Sequence, residues 1–268
     1  MLDFSVFSNP LGVPAAVTDK FLRQEMVSEC YPDPDCNLLV SCLEEKYKVS
    51  ARYIICGNGA DDLLYRLVFA MKPKRAIIVE PTFEEYSRAL ALVDCEISHY
   101  QLKPENRFCL DAGILSALQD NFDMMFLCNP NNPTSSCISL DDMRTILDVC
   151  KEHGIYVMVD ETYIEFVEDV VHTSAVSLTA YYNNIIILRG TSKFFAAPGL
   201  RLGYAITGNE DLLRNMNQRK NPWMINSLAA IAGELMFQDD EYIQATRDLI
   251  STERARCYQT MLNSKRFH

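Results

Sequence analysis

The chain has 268 residues and a formal net charge of -11. This length suffices for a substantial core, in one large domain or in one domain and part of another. The acidic balance argues against a nucleic-acid partner, because a phosphate backbone requires a basic face, and no basic cluster favours an anionic membrane surface. No apolar stretch is long enough to span a bilayer, and the N-terminus lacks the basic and apolar regions of a signal peptide. We therefore expect a cytoplasmic protein.

The ten cysteines and four histidines do not form a ligand pattern. No two cysteines have C-x-x-C spacing, and the histidines are scattered along the chain. A cysteine in an apolar strand or helix behaves as a small hydrophobic residue. We therefore predict free structural thiols and no metal site.

The chain begins with two helical patterns, Pro14–Glu29 and Asn37–Tyr47, joined by a proline-rich turn at residues 31–35. Short apolar runs then alternate with helical patterns. The predicted strands are Tyr53–Cys56, Ala76–Glu80, Met124–Cys128, Ile155–Asp160, Ile185–Leu188 and Leu202–Thr207. The helices between them are Ala60–Met71, Glu84–Val93, Asp111–Gln119 and Leu140–His153. This alternation predicts an α/β fold with a mostly parallel sheet between helices.

After residue 208 the pattern is helical only, with segments Glu210–Arg219, Ile225–Phe237 and a long one from Glu241 to about Leu262. We divide the chain into an N-terminal arm with helices (1–48), a large domain (49–238) and the start of a C-terminal subdomain (239–268). Ligands of such folds bind at the carboxyl ends of the strands, so the loops there are informative.

Lys193 lies where the apolar run Ile185–Leu188 gives way to a loop, and Arg201 follows eight residues later. Burial lowers the pKa of an amine because desolvation disfavours its charged form, and a neutral amine can form a Schiff base with an aldehyde. A lysine that extends its alkyl chain from the strand end to solvent would have the same sequence. The choice between these interpretations depends on the other loops.

The loop Cys56–Asp62 follows a strand and begins a helix. Its glycines, including Gly59, permit a close backbone approach. The free N–H groups and dipole of a helix start, here at Ala60 and Asp61, can bind phosphate. An ordinary glycine turn with Asp61 as helix cap would look the same.

Asp160 ends an apolar strand, where a carboxylate is costly without a partner. The protonated nitrogen of a bound ring would be such a partner, although the carboxylate could also cap the following turn. Phe83 follows another strand, and its ring could stack on a flat ligand or pack as a hydrophobic staple.

Two Asn-Pro steps in residues 129–134 fix the backbone of a further loop and present amide side chains, including that of Asn132. A loop without a chemical role could have the same sequence. Together, the four loops and the lysine match a planar, phosphorylated aldehyde with a pyridinium ring.

In chain order, GNGAD (57–61), PTFEEY (81–86), NPNNPT (129–134), VDETY (159–163), TSK (191–193) and GLRLGY (199–204) resemble one family. It is the class I/II aminotransferase group of fold-type-I enzymes that depend on pyridoxal 5′-phosphate (PLP). Within it, the segments LDFS…NPLG (2–12), PTFEEYSRAL (81–90) and PWMINSLAA (222–230) most resemble L-threonine-O-3-phosphate decarboxylases. Histidinol-phosphate aminotransferases are near neighbours, since they share YPDP (31–34) and NNPT (131–134).

The resemblance implies a role for each residue near the cofactor ring. Lys193 would form the Schiff base with PLP and later move a proton of the substrate. Asp160 would keep the ring nitrogen protonated, and Phe83 would stack on the ring. Asn132 and Tyr163 would bind the ring hydroxyl oxygen.

The resemblance also implies a binding site for the cofactor phosphate. Its members would be Gly59, Ala60 and Asp61 at the helix start, Ser192, Arg201 and, from a neighbouring subunit, Tyr31. A site shared in this way implies a homodimer.

The chain departs from the family in three places: the C-terminal subdomain, the N-terminus, which lacks the His-Gly-Gly segment that often precedes LDFS, and two single positions. Relatives continue into a C-terminal subdomain with an arginine for the substrate carboxylate, so we expect this small domain to be largely missing here. Phe7 stands where asparagine is common, and Ser135 replaces the glycine usual after NPT.

The resemblance implies a PLP-dependent enzyme that acts on a phosphorylated amino acid or amine. The first hypothesis is an L-threonine-O-3-phosphate decarboxylase of cobalamin biosynthesis, and the alternative is a histidinol-phosphate aminotransferase. A second alternative is a PLP-binding domain without turnover, and a third is an α/β domain without a cofactor.

Overall fold

A seven-stranded sheet organises the part of the chain that the computed structural model describes, residues 8–22 and 30–264. Its strands are β1 (Ile54–Gly57), β2 (Arg75–Glu80), β3 (Glu96–Gln101), β4 (Met124–Cys128), β5 (Tyr156–Asp160), β6 (Ile185–Gly190) and β7 (Gly203–Ile206). The α-helices are α1 (Ala15–Leu22), α2 (Asn37–Tyr47), α3 (Ala60–Met71), α4 (Glu85–Ala91), α5 (Gly113–Ala117), α6 (Leu140–Glu152), α7 (Val170–Thr173), α8 (Glu210–Asn217), α9 (Ser227–Gln238) and α10 (Asp240–Leu262).

The strand order is β1-β7-β6-β5-β4-β2-β3, and β2 to β6 run parallel. Only β7 runs antiparallel to its neighbours β1 and β6. Parallel neighbours require a crossover connection, whereas an antiparallel pair does not. The segment between β6 and β7 contains only a short 3₁₀ turn in place of a long helix. The predicted α/β fold with a mostly parallel sheet is confirmed.

The central strands are apolar on both faces because both faces are covered. Met125, Leu127 and Val159 belong to one buried cluster, while Phe126 and Met158 belong to another on the opposite face. The alternation of side chains along a strand sends neighbouring residues into different layers. Both faces of the central strands are therefore packed. We call the edge formed by the carboxyl ends of β4, β5 and β6 the rim.

The edge strand β3 (Glu96–Gln101) was not predicted, because its sequence EISHYQ is mostly polar and its side chains are half-buried or exposed. Several predicted helices are shorter or shifted. Asp111–Gln119 is helical only at Gly113–Ala117, Ile225–Phe237 becomes Ser227–Gln238, Glu84–Val93 becomes Glu85–Ala91, and Glu210–Arg219 ends at Asn217. Of the predicted helix Pro14–Glu29, residues 15–22 are helical. Residues 23–29 lie outside the described part, as do Phe7 and the LDFS segment.

Asn9 ties the N-terminal arm to α10. Its buried amide nitrogen donates to the carbonyl oxygen of Phe194 at 2.7 Å and lies 2.9 Å from the hydroxyl oxygens of Tyr242 and Thr246. The ring of Tyr242 also stacks on Phe195, with centroids 5.9 Å apart. These contacts attach the start of α10 to the loop that carries Lys193. The boundaries predicted at residues 48 and 238 stay a prediction.

Within the described residues, none of the helices combines the length and apolar character that crossing a membrane would require. In the same part of the chain, histidines, cysteines and carboxylates form no group placed to hold a metal ion. The ten cysteines are free thiols in this structure, four of them buried.

Candidate active site

A cavity of about 610 Å³ opens at the rim formed by the strand ends. Three of the predicted residues line it: Asn132 after β4, Tyr163 after β5 and Lys193 after β6. The remaining wall comes from residues 8–9 of the arm, from the loops at 130–137 and 166–167, and from Ile250 and Arg254 of α10. The lysine, a phenol and an amide therefore face one space.

Asp160 lies at the end of β5 with its carboxylate buried. One carboxylate oxygen accepts a 2.8 Å hydrogen bond from the Tyr86 hydroxyl, and the other accepts one of the same length from the Thr162 amide. The Thr162 hydroxyl donates to that second oxygen too. Burial raises the pKa of Asp160 despite these bonds, and the charge of nearby Asp61 adds to the shift. Among the described residues, no cation forms an ion pair with this carboxylate.

Tyr86 connects Asp160 to the aromatic residue predicted to stack on a ligand. The rings of Phe83 and Tyr86 meet edge to face with centroids 5.8 Å apart, and Phe83 is partly exposed. Burial also raises the pKa of Tyr163, to which Cys128 and Asp160 contribute. The sequence analysis missed Tyr86, although a tyrosine one helical turn after Phe83 was a signal.

The loop with the two Asn-Pro steps carries the amide side chains of Asn131 and Asn132. Asn131 is buried: its oxygen accepts from the Thr82 hydroxyl at 3.0 Å, and its nitrogen donates to the Pro81 carbonyl at 2.9 Å. This clamps the loop after β4 to the loop after β2. Asn131 and the next residue, Asn132, both line the cavity. Ser135 has a φ of 60°, the left-handed region that a glycine would occupy without strain.

The start of α3 and Arg201 form a second group, apart from the residues that line the cavity. A Cβ on Gly59, whose φ is 91°, would lie 2.4 Å from Nη2 of Arg201. A Cβ on Gly203 would lie 2.4 Å from the backbone nitrogen of Ala60. Glycine at both positions therefore lets the guanidinium and β7 approach the helix start. The first N–H groups of a helix have no partner within the helix, and beside an arginine they form a site suited to an anion.

Arg201 contacts Asp61 in this structure, with Nη2 and the carboxylate oxygen 3.3 Å apart and both side chains partly exposed. Ser192 is half-buried beside Thr191, whose amide donates to the Leu202 carbonyl at 3.1 Å. This bond holds the start of the lysine loop next to Arg201. Gly59, Ala60, Asp61 and Arg201 thus meet at the amino end of α3, and Ser192 lies in the loop that is bonded next to Arg201.

Tyr31 is not among the residues that line the cavity. It is 79% exposed, and its ring lies 4.6 Å from that of Trp223 on the same chain. A residue that serves a neighbouring subunit would be exposed in one chain by itself. Its role stays a prediction.

Arg189 is the main buried charge that the sequence analysis missed. It is 2% exposed, and Nη2 lies 2.7 Å from the Glu161 carboxylate and from the Ser174 hydroxyl. Nη1 contacts Glu165 at 3.1 Å, and the guanidinium lies over the Tyr47 ring at 4.6 Å from its centroid. An arginine directly after an apolar strand and a glutamate directly after Asp160 were the available signals. The network ties the end of β6 to the segment that follows β5.

The chain is similar to known enzymes over nearly its whole length. The family model for aminotransferases of class I and II matches residues 2–266. The chain belongs to this family. It is 38% identical to the threonine-phosphate decarboxylase of Salmonella typhimurium over 97% of the chain and 71% of that protein. It is 32% identical to the histidinol-phosphate aminotransferase of Chlorobium luteolum over 96% of the chain and 70% of that protein.

Among solved structures, the chain is similar to the histidinol-phosphate aminotransferase from Clostridium acetobutylicum. The TM-score is 0.90 at 28% identity, over 97% of this chain and 77% of the other. The predicted family, its fold and its dependence on PLP are confirmed. The chain is therefore a PLP-dependent enzyme of the aminotransferase family.

The described residues fit this cofactor. The buried carboxylate of Asp160 has hydrogen-bond donors but no cation, and a pyridinium nitrogen would supply one. Glycine at position 59 lets the Arg201 guanidinium approach the start of α3, and a cation beside the amides of a helix start suits a phosphate. These two features lie at the rim that also carries Lys193.

Proposed function

We propose that this chain catalyses the PLP-dependent decarboxylation of L-threonine O-3-phosphate or a similar phosphorylated amino acid. The observation that carries the proposal is that Lys193, Tyr163 and Asn132 face one cavity beside a rim with a buried Asp160, which has no ion pair with any described residue. The 38% identity to a threonine-phosphate decarboxylase supports the choice of reaction. A homodimer with Tyr31 of each subunit near the other's phosphate site, in the cytoplasm, completes the proposal.

When bound, PLP supplies an aldehyde that condenses with amines and a ring that withdraws electrons from the bond to be broken. Lys193 would hold the aldehyde through Nζ and, once released, move a proton to or from the reacting carbon. Asp160 would keep a proton on the ring nitrogen. Asn132 and Tyr163 would bind the ring hydroxyl oxygen, and Phe83 would cover one ring face.

The phosphate would be held by the residues at the amino end of α3 and by Ser192. The amides of Ala60 and Asp61 and the hydroxyl of Ser192 would donate to its oxygens. Arg201 would exchange its partly exposed contact with Asp61 for the phosphate, which presents more charge. Fixing both ends of the cofactor orients the reacting carbon toward Lys193.

Borohydride reduction in the presence of PLP tests the binding site directly. Peptide mass mapping should find the cofactor mass on Lys193 of the wild type. It should be absent from Lys193→Ala and retained by Lys151→Ala, a matched change on the outer end of α6. Labelling of a different lysine would contradict the assignment of Lys193.

The second candidate is a histidinol-phosphate aminotransferase, which the TM-score of 0.90 to such an enzyme favours. CO2 release from L-threonine O-3-phosphate should exceed amino transfer from histidinol phosphate to 2-oxoglutarate. The opposite ranking would support the aminotransferase. If Lys193 is labelled but neither reaction occurs, the chain binds PLP without turnover of these compounds.

A further inference from the structure

Arg254 is the only cation besides Lys193 among the described residues that line the cavity, and no carboxylate lines it. The other polar wall groups are neutral amides, hydroxyls and a thiol. The cavity therefore favours an anionic ligand although the whole chain carries a net charge of -11. The proposed function uses Lys193 for the cofactor, which leaves Arg254 without a task.

The position of Arg254 follows from the pattern of α10. Ile243 and Thr246 are buried against the body of the protein, and Ile250 and Arg254 continue the same face at spacings of four residues. Residues three or four apart lie on one side of a helix. The face that is core at the start of α10 thus becomes cavity wall one to two turns later, and Arg254 is its charged member.

Arg254 is held near the cavity by a weak contact. Its Nη2 lies 3.2 Å from Oε1 of Glu168, which also accepts from the Ser251 hydroxyl at 3.1 Å. Glu168 is 73% exposed and follows Val167 of the cavity wall. An exposed ion pair of this kind contributes little, so a ligand anion can replace it. The contact engages one of three guanidinium nitrogens, and the others can meet phosphate oxygens.

We propose that Arg254 binds the phosphate of the substrate and so selects phosphorylated amino acids over their unphosphorylated counterparts. The proposal rests on the proposed function for the location of the reacting end at Lys193. An arginine offers phosphate a planar, permanently charged fork. Glu168 acts as a competing partner that keeps the guanidinium oriented until the substrate arrives.

A pair of unreactive ligands tests this binding role. The compound 3-phosphoglycerate carries the carboxylate and distal phosphate of a phosphorylated amino acid but has a hydroxyl group in place of the amine. Glycerate differs from it only by the missing phosphate. Titration calorimetry of the PLP-loaded protein measures both affinities without any reaction. We expect the wild type to prefer 3-phosphoglycerate.

Arg254→Gln should weaken 3-phosphoglycerate binding by roughly 10- to 100-fold, the effect of losing charge-assisted hydrogen bonds, and leave glycerate unchanged. Arg254→Lys should lose part of that factor. Glu168→Gln should tighten 3-phosphoglycerate binding by about two- to fivefold, because it removes the competing partner. Arg256→Gln is the matched control, since Arg256 lies on the same helix, pairs with Glu253 and does not line the cavity.

Two results would overturn the role of Arg254. One is an equal preference for 3-phosphoglycerate in the wild type and Arg254→Gln, and the other is an equal loss in Arg254→Gln and Arg256→Gln. Failure of the proposed function looks different: the PLP-loaded protein would release no CO2 from L-threonine O-3-phosphate, while the titrations would still report on Arg254.

Discussion

Replacing Asp160 by asparagine should stabilise the protein without PLP and weaken its response to PLP. The carboxylate is buried, and its hydrogen bonds come from Thr162 and Tyr86. An asparagine oxygen can accept both bonds from Thr162, and the Tyr86 hydroxyl can rotate to accept one from the amide nitrogen. The substitution thus keeps the contacts and removes the charge that burial penalises.

The expected gain is about 1–2 kcal/mol in the free energy of unfolding, because hydrogen bonds offset much of the cost of the buried charge. The folded state raises the pKa of Asp160 above its ordinary value of 3.8. A group with a raised pKa is favourable to the fold below its ordinary value, and that contribution is lost as the pH rises through the folded value. The advantage of Asp160→Asn should therefore be largest at neutral pH and vanish in acid.

Urea unfolding at several pH values, with and without saturating PLP, measures both effects. PLP should raise the stability of the wild type more than that of Asp160→Asn, because the amide cannot pair with a cationic ring nitrogen. Asp120→Asn, an exposed change, should alter neither quantity. The reasoning is refuted if Asp160→Asn destabilises the PLP-free protein at neutral pH or gains as much from PLP as the wild type.

Three further predictions follow from the site. Arg189→Met should cost about 3–5 kcal/mol in urea unfolding, because Glu161 would be left buried without a cation; a cost below about 1 kcal/mol would mean that the pair behaves as a surface one. Ser135→Gly should raise the unfolding free energy by up to about 1 kcal/mol, because it relieves a left-handed backbone, and calorimetry that finds a lower Tm would contradict this. Arg201→Ala should weaken PLP binding by about 1–3 kcal/mol in equilibrium dialysis, since the side chain is partly exposed; unchanged affinity would exclude its phosphate role.

The rim of strand ends could be predicted from the continuous apolar runs. Such runs, separated by helical patterns, indicate strands of a parallel sheet that is covered on both faces. Polar residues that follow such runs, as Asp160 and Lys193 do, must lie at the carboxyl edge of the sheet. The strand β3 could not be recognised, because an edge strand needs neither continuous apolarity nor strict alternation. The antiparallel direction of β7 is likewise set by the path of its connection.

Contacts between distant segments were beyond sequence analysis. The bond from Tyr86 to Asp160 and the ion pair of Arg189 with Glu161 join residues on different elements. The periodicity of a sequence indicates helices, strands and their buried faces. It does not indicate which side chains of different elements are in contact, because this depends on how the elements are placed in space. The only local indication was a charged residue next to an apolar run, as at Arg189 and Asp160. Such a residue is expected to be buried, but the sequence does not identify its partner.

The side chain of Asn9 is bonded to three segments at once, and Tyr242 adds direct contacts between the same segments. The Asn9 amide joins the carbonyl oxygen next to Lys193 to two hydroxyl groups on α10. A tilt of that helix, which would shift Arg254 at its far end, must therefore pull on the backbone of the reactive lysine. If Arg254 binds the substrate phosphate as proposed, its capture would thus be mechanically linked to the alignment of the Lys193 amine.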